Sequence, residues 1–253
     1  MTDLHTHILP GIDDGAIDEG VSSEQMKSLL EQGVDKVVFT SHYYGRKRSP
    51  KQFLEARADA FGRIKDLIPE GMETYLGAEV HFAAEMAASD ESICAMAIGD
   101  TRYILAELPL PFATDWNRGL WRRLEDFISS TDYIPVIAHV ERYDEARKKP
   151  ALLSALVDMG CLLQVNTQAF LKKEDSTMAF ALLEHGLVHC LGTDTHNMQE
   201  RAPKYTAAKE AIEEAGLYDR FERIQENMLA LLEDKPITIE KTKPVKKFFG
   251  LYY

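Results

Sequence analysis

Short β-rich runs alternate with amphipathic helical patterns along most of the chain, and this alternation constrains the possible fold more than any other feature. Strands that alternate with helices form βαβ units, in which neighbouring strands are parallel. The runs with strand character cover residues 3–8, 35–41, 73–80, 102–108, 134–140, 161–166 and 187–193. We therefore predict an α/β fold, a distorted TIM-like β/α barrel with about seven parallel strands. A doubly wound open sheet is the alternative.

The predicted helices lie between these strands. One covers residues 22–32, after a serine cap and before Gly33. Another covers residues 50–68, where Ser49 is the expected cap and Pro50 occupies the favoured first position. The remaining helical segments cover about 117–131, 150–159, 176–185, 203–215 and 218–233.

Composition narrows the class of protein. A chain of 253 residues that is 45% hydrophobic suits one large α/β domain, which we place at residues 1–234. The formal net charge of −12 argues against a nucleic-acid binder, whose contact surface would be basic. Residues 235–253 form a separate tail with five lysines and one glutamate, a local charge of about +4. The tail is expected to be flexible or docked on the surface, with an acidic partner or anionic lipid as alternatives.

Targeting signals and cysteine usage point to the cytoplasm. The amino terminus lacks the basic and apolar regions of a signal peptide, and no apolar run approaches the roughly 18 residues that a membrane span needs. Cys94, Cys161 and Cys190 are scattered and form no CxxC pair. We therefore expect a cytoplasmic protein without disulfides or a membrane span.

Side chains that bind metal ions recur where the predicted strands end. The carboxyl ends of parallel strands meet at one face of a barrel, so residues distant in sequence are expected to converge there. The candidates are His5, His7, His42, Glu79, Glu107, His139, Asp194 and His196.

The chemistry of these candidates favours a metal centre over structural hydrogen bonds. His5 and His7 alternate along a strand and so point to the same face. Buried polar side chains at a barrel mouth are costly unless they are paired or bind metal. Imidazoles and carboxylates suit zinc, manganese or iron. Eight candidates exceed what one ion uses, so two or three ions are expected, with carboxylates such as Glu79 as bridges.

The motifs resemble those of a known superfamily. In order along residues 3 to about 203 they are His5-Thr-His7, Ile12-Asp13-Asp14-Gly15, Thr40-Ser41-His42, Gly77-Ala78-Glu79, Ala106-Glu107-Leu108-Pro109, Ala138-His139-Val140-Glu141-Arg142-Tyr143 and Asp194-Thr195-His196-Asn197. This pattern is similar to the polymerase and histidinol phosphatase (PHP) superfamily. Within it, the chain most resembles the bacterial capsule-type protein tyrosine phosphatases, the CpsB/YwqE group.

The resemblance implies a fold, a cofactor, a substrate and a ligand set. It implies a barrel-like β/α fold with a trinuclear centre, usually of manganese. The implied substrate is phosphotyrosine on bacterial tyrosine kinases that control exopolysaccharide and capsule synthesis. The implied ligands are His5, His7, Glu79 and Asp194 for one ion, Glu79, Glu107 and His139 for a second, and Asp14, His42 and His196 for a third. Asp14 is preferred to its neighbour Asp13, which stays open as the alternative.

Cationic and aromatic residues supply candidate substrate contacts. Arg142 and Arg201 follow strand ends, and a guanidinium matches two phosphate oxygens at once. The resemblance also implies that both clamp the phosphate. Tyr43, Tyr44 and Arg46, directly after His42, are candidate contacts for a phosphotyrosine ring or an acidic peptide. A plain solvated loop is the alternative.

Three functions remain open at this point. The first is a metal-dependent tyrosine phosphatase that acts on a kinase tail. The second is a small-molecule phosphatase of the same superfamily, such as one that cleaves histidinol phosphate. The third is a non-catalytic, metal-binding regulatory subunit. The sequence leaves the oligomeric state open.

Overall fold

The described part of the chain is an α/β domain of short parallel strands and surrounding helices. The computed structural model describes residues 1–82, 91–109, 118–237, 239, 244–248 and 250–253. The parallel strands are β1 (Thr2–Thr6), β2 (Lys36–Phe39), β3 (His42–Tyr43), β4 (Glu73–Leu76), β5 (Glu79–His81), β6 (Tyr103–Glu107), β7 (Ile134–Ile137), β8 (Leu162–Asn166) and β9 (Cys190–Gly192). The helices are α1 (Glu19–Glu31), α2 (Pro50–Ile64), α3 (Glu91–Cys94), α4 (Arg118–Ser130), α5 (Asp144–Lys148), α6 (Ala151–Met159), α7 (Lys173–Glu184), α8 (Tyr205–Glu214) and α9 (Tyr218–Leu232).

The parallel strands form two sheets that meet along β1. One sheet has the order β1-β2-β4 and the other the order β3-β5-β6-β7-β8-β9. An isolated bridge between Thr6 and Thr195 connects β1 with the segment after β9. Asp3 reinforces this connection, because its carboxylate accepts hydrogen bonds from the backbone N–H and the hydroxyl of Thr193, at 2.9 and 2.6 Å. The result is one curled parallel arrangement, in which β1, β6 and β8 are buried along their whole length.

The expected count of about seven strands is not confirmed, because one predicted run is divided and one described strand lies outside the predicted runs. The predicted run 35–41 contains β2, and β3 follows directly after this run, separated from β2 by Thr40 and Ser41. The predicted run 73–80 contains β4 and β5, separated at Gly77 and Ala78. β2 pairs with β4 while β3 pairs with β5, so both interruptions lie at the same level.

The helix caps agree with the prediction for α2 and differ for α1. Ser49 and Gln52 form a reciprocal capping box at the start of α2, with Pro50 in the first turn. α1 begins earlier than the predicted residue 22, because Asp18 is its cap and accepts from the N–H of Val21 at 2.9 Å. Ser22 is instead buried inside the helix and donates to the carbonyl of Ile8 at 2.6 Å.

The tail carries a small antiparallel hairpin in its described part. Strands β10 (Lys247–Phe248) and β11 (Leu251–Tyr252) pair with each other. The hydroxyl of Tyr252 and the ammonium of Lys247 donate to the carbonyl of Arg147 at 3.0 and 2.9 Å, so the hairpin is docked beside α5. Other tail residues lie outside the described ones, and the division of the chain at residue 234 stays a prediction. None of the described helices is long and apolar enough to cross a membrane.

The close approach of β9 to β1 leaves no room for a side chain at Gly192. A Cβ there would lie 2.4 Å from the Cβ of His5 and 3.0 Å from its backbone nitrogen. We predict that Gly192→Ala lowers the free energy of unfolding by about 1–3 kcal/mol or more, since backbone has to move. Gly62→Ala is the matched control: apart from its chain neighbours and the backbone of its own helix, no atom lies within 4 Å of the added Cβ, so better helix propensity should stabilise α2 by up to about 1 kcal/mol. Urea denaturation measures both values, and equal effects would contradict the prediction.

Buried His189 makes the stability of the fold depend on pH. Burial lowers its pKa from 6.5 to about 4, and its Nδ1 accepts from the N–H of Leu163 at 3.1 Å. Because the unfolded chain takes up the proton first, this contribution to stability is present above pH 6.5. It is lost as the pH falls from 6.5 through 4 and amounts to about 3 kcal/mol at most. His189→Asn keeps an acceptor and should flatten this part of the pH profile of urea denaturation. A profile parallel to that of the unmodified chain would contradict the prediction.

Candidate metal centre

The strand ends bring the predicted histidines and carboxylates into one buried cluster. Its centre is the carboxylate of Glu79, at the start of β5. The Oε2 atom of Glu79 lies 3.2 Å from His5 Nε2, 3.3 Å from His7 Nε2 and 2.9 Å from His42 Nδ1. The Oε1 atom lies 2.8 Å from His139 Nε2. One carboxylate thus faces four imidazoles from three separate segments of the chain.

A second carboxylate extends the cluster beyond Glu79. Glu107, at the end of β6, places its Oε1 atom 3.7 Å from His139 Nε2. Its Oε2 atom lies 3.3 Å from Nδ1 of His81. Oxygen and nitrogen atoms of His42, Glu79 and Glu107 lie within 4.8 Å of one another, a spacing that fits one metal ion.

Asp14 and Asp13 have different positions relative to the cluster. The Oδ1 atom of Asp14 lies 3.5 Å from His42 Nε2 and 3.6 Å from His196 Nε2. Asp13 lies behind His7: its Oδ2 atom is 2.8 Å from His7 Nδ1 and also accepts from the backbone N–H of His42 at 2.8 Å. This geometry favours Asp14 as a metal ligand and gives Asp13 the task of orienting His7.

Asp194 connects the cluster to both arginines. Its Oδ1 atom lies 3.4 Å from His7 Nε2 and 3.6 Å from His5 Nε2. Its Oδ2 atom accepts hydrogen bonds from Arg142 Nη1 at 3.1 Å and from Arg201 Nη2 at 2.7 Å. The predicted phosphate clamp therefore lies directly beside the predicted metal ligands.

Backbone strain marks two of the candidate ligands. His139 has a φ of 35° and Asp194 a φ of 53°, in the left-handed region that residues other than glycine rarely adopt. Such conformations cost of order 1–3 kcal/mol each and persist where the surrounding structure enforces them, often at functional sites.

The carboxylates and histidines of the cluster shift one another's pKa values. Burial alone would raise the pKa of Glu79, but the histidines His5 and His42 hold it well below its ordinary value. Burial likewise would lower the pKa of His7, but Asp13, Asp194 and Glu79 raise it well above its ordinary value. The carboxylates and imidazoles of the cluster thus stabilise each other's charged forms, and metal ions could balance the carboxylates when the imidazoles are neutral ligands.

Unsatisfied buried atoms provide a test of whether metal ions fit. Among the described residues, Glu79 Oε2, His42 Nδ1 and His196 Nε2 are buried and make no hydrogen bond. Such atoms are costly in a folded protein unless an unobserved partner satisfies them. All three belong to groups whose atoms lie within the reach of one ion, and the imidazole and carboxylate donors suit manganese, iron or zinc. The donor set therefore fits a metal centre.

Two supporting polar residues were missed by the sequence analysis. The Oε1 atom of Gln164 lies 3.1 Å from His5 Nδ1 and accepts from the backbone N–H of His139 at 2.7 Å. Asn166 donates from Nδ2 to Asp194 Oδ2 at 3.0 Å. The available signal was their alternation along the otherwise apolar predicted strand 161–166.

Two cavities adjoin the cluster on different sides. The arginine cavity, of about 320 Å³, lies over the ends of β8 and β9 and is lined in part by Glu141, Arg142, Asp194 and Arg201. Burial raises the pKa of Glu141 to about 8, which keeps this carboxyl largely uncharged at neutral pH. The loop cavity, of about 510 Å³, lies over the ends of β1 and β3 and is lined by the residues Ile12, Asp13, Asp14, His42, Tyr43, Tyr44, Lys47, Arg48 and Phe53.

The predicted substrate loop is only partly placed in the loop cavity. Tyr43 is buried and packs edge-on against Phe53, with ring centroids 5.2 Å apart. The ring of Tyr44 lies 5.2 Å from that of His42, so it adjoins the cluster. Arg46 is exposed and is not among the residues that line the cavity. Lys47 and Arg48, which belong to the same basic loop, do line the cavity.

Comparison with known proteins gives consistent matches. Residues 1–232 match the family model described as capsular polysaccharide synthesis, CpsB/CapC. The chain is similar to the tyrosine-protein phosphatase YwqE of Bacillus subtilis (strain 168), at 31% identity over 261 residues that cover 100% of both proteins. It is 29% identical to the tyrosine-protein phosphatase CpsB of Streptococcus pneumoniae, over 84% of this chain and 89% of that protein.

The fold is shared with a solved relative. The chain is similar to a solved structure from the work on YwqE of Bacillus subtilis and CpsB of Streptococcus pneumoniae, which are unique metal-dependent tyrosine phosphatases. The match has a TM-score of 0.81 at 28% identity and covers 98% of this chain and 100% of the other.

The donor set predicts that metal ions stabilise the fold. Titration of chelator-stripped protein with Mn²⁺ should raise its thermal midpoint, because a ligand at 100 times its Kd contributes about 2.7 kcal/mol. Glu79→Gln removes the central charge and should lose most of this stabilisation, together with at least one bound ion by elemental analysis. His185→Gln, at the end of α7, is the matched control and should respond like the unmodified chain. A midpoint that Mn²⁺, Fe²⁺ and Zn²⁺ all leave unchanged would contradict the prediction.

Proposed function

The chain belongs to the capsular polysaccharide synthesis CpsB/CapC family, and on this premise we propose that it is a metal-dependent tyrosine-protein phosphatase, a phosphoric monoester hydrolase. The observation that carries the proposal is the contact of Arg142 and Arg201 with Asp194, whose other oxygen faces His5 and His7. A candidate metal centre and two phosphate-binding side chains therefore share one carboxylate.

The proposed centre holds three ions, most simply manganese, with iron or zinc as possible replacements. The proposed ligands are His5, His7, Glu79 and Asp194 for one ion, Glu79, Glu107 and His139 for the second, and Asp14, His42 and His196 for the third. The spacing of His5, His7 and Glu79 and of Asp14, His42 and His196 supports two of these sets. His139 lies 2.8 Å from Glu79 and 3.7 Å from Glu107, which supports the remaining one. Divalent ions held there would supply Lewis-acid chemistry, which eases the ionisation of water and offsets the charge of the phosphoryl group.

The side chains themselves contribute binding and orientation. Each guanidinium has five N–H donors, so Arg142 and Arg201 keep donors for phosphate oxygens while they contact Asp194. Two fixed cations beside the reacting group stabilise negative charge on the equatorial oxygens, which is the main requirement of phosphoryl transfer. Gln164 and Asn166 hold His5 and Asp194 in position. Because the protein carries a net charge of −12, this local positive charge is needed for a phosphate to approach.

The proposed substrate is phosphotyrosine on a bacterial tyrosine kinase that controls capsule or exopolysaccharide synthesis. The family description, capsular polysaccharide synthesis, supports this biological setting. A cytoplasmic location is part of the proposal. It agrees with Cys94, Cys161 and Cys190, which form no disulfide in the described part of the chain.

Phosphate release from two substrates tests the function. Protein stripped of metal and then loaded with Mn²⁺ should hydrolyse a tyrosine-phosphorylated peptide and act weakly on histidinol phosphate. A preference for histidinol phosphate would move the activity to small molecules. If the protein binds metal but releases phosphate from neither substrate, the result would contradict the phosphatase proposal and favour a regulatory subunit.

Substitution of the arginines tests the proposed phosphate clamp. Arg142→Lys keeps the charge but removes the planar pair of donors, so we expect kcat/KM for the phosphopeptide to fall by roughly 10²–10³. Arg122→Lys, on the exposed face of α4, is the matched control and should keep the activity of the unmodified chain. A loss of less than about threefold in Arg142→Lys would contradict a direct contact with phosphate.

A further inference from the structure

The loop cavity combines an apolar wall with a basic rim. Ile12 and Phe53 are buried and form part of the wall. Lys47 is exposed and Arg48 is half-buried, and both line the same cavity. The ammonium of Lys47 lies 4.6 Å from the centre of the Tyr44 ring, an arrangement typical of a cation–π contact. A ligand in this cavity would therefore meet aromatic surface and the positive charge of the rim, while the carboxylates Asp13 and Asp14 line the side that faces His7, His42 and His196.

The two cations of the rim have no carboxylate partner among the described residues. In the part of the chain that the structure describes, neither Lys47 nor Arg48 forms a salt bridge. Lys51, one turn further along, does pair with Glu55 at 3.9 Å. In a protein with 41 acidic and 29 basic residues, two adjacent unpaired cations at one cavity are suited to an anion from outside the chain.

The loop cavity and the arginine cavity have different electrostatic properties. In the arginine cavity, Arg142 and Arg201 already contact Asp194, and Asp175 pairs with Arg147. That cavity is suited to the phosphoryl group beside the metal ligands. Among the described residues, Lys172 also lines the arginine cavity and forms no salt bridge, but the loop cavity carries two adjacent cations of this kind.

The loop cavity is contiguous with the candidate metal centre. Asp14 and His42 line it, and both belong to one of the groups that can hold an ion. The Tyr44 ring, 5.2 Å from the His42 ring, provides a flat surface next to that group. A peptide whose phosphate is at the metal centre would thus place neighbouring residues within the loop cavity.

We propose that the loop cavity is a binding site for acidic side chains that flank the phosphotyrosine, with Lys47 and Arg48 as the anion-binding residues. This inference rests on the proposed phosphatase function. It assigns a substrate class, peptides with carboxylates next to phosphotyrosine, and predicts that such peptides bind more tightly than uncharged ones of the same shape.

Two matched peptides test the inference through binding and turnover. Both carry one phosphotyrosine, flanked on each side by Glu in one peptide and by Gln in the other. Fluorescence anisotropy on chelator-treated protein should show about fivefold tighter binding of the Glu peptide, a size typical of partly exposed ion pairs. The preference should shrink at 0.5 M salt, where charges are screened within about 4–5 Å. With Mn²⁺ restored, the same preference should appear in KM, with similar kcat for both peptides.

Charge-neutral variants decide whether the basic rim is responsible. The double variant Lys47→Gln/Arg48→Gln should reduce the Glu-to-Gln preference to near one. Lys51→Gln, which removes a neighbouring lysine outside the cavity, should retain the full preference. Equal binding of the two peptides to the unmodified chain, or a preference that survives in the double variant, would overturn the inference. Failure of the phosphatase proposal looks different: neither peptide releases phosphate with Mn²⁺, while the metal-free binding preference is still present.

Discussion

The buried carboxylate of Glu79 is the interaction on which the arrangement of the strand ends depends. A charged group with no exposure to water is very costly unless opposite charges or metal ions surround it. Four imidazoles, from β1, the segment after it, β3 and the segment after β7, approach its two oxygens within 3.3 Å. Each approach requires a particular offset between neighbouring strands. The offsets between neighbouring strands are thus the ones that bring all four imidazoles to the carboxylate of Glu79.

The same requirement explains why the strands are short and divided. His42 pairs with Glu79 across β3 and β5, only a few residues beyond the ladder of β2 and β4. Because the β2–β4 and β3–β5 ladders are interrupted, β3 and β5, which carry His42 and Glu79, can run in a different direction from β2 and β4. The left-handed backbone of His139 and Asp194 has a related effect, because it redirects each chain directly after a buried strand. The fold carries this strain at two of the candidate metal ligands.

The sequence was sufficient to predict which residues gather, because that depends on chain order and on strand periodicity. Strands that end in His or Glu, alternating with helices, lead to one polar face regardless of structural detail. The orientation of loops was not predictable in the same way. Asp13 and Asp14 are adjacent and chemically identical, and only the turn at Gly15 directs one toward His7 and the other toward His42 and His196. Arg46, Lys47 and Arg48 pose the same problem, since which cation lines the loop cavity depends on how the loop packs.

Glycine at two positions shows how closely the histidines are positioned by backbone. A Cβ at Gly15 would lie 2.2 Å from the carbonyl oxygen of His7, and one at Gly192 would lie 2.4 Å from the Cβ of His5. Both histidines of the first motif are therefore enclosed by main chain that only glycine allows to come so near. Enclosure by main chain leaves the imidazoles little freedom to relax when the charge at the centre changes. A candidate centre enclosed in this way is suited to bind ions without rearrangement of the fold.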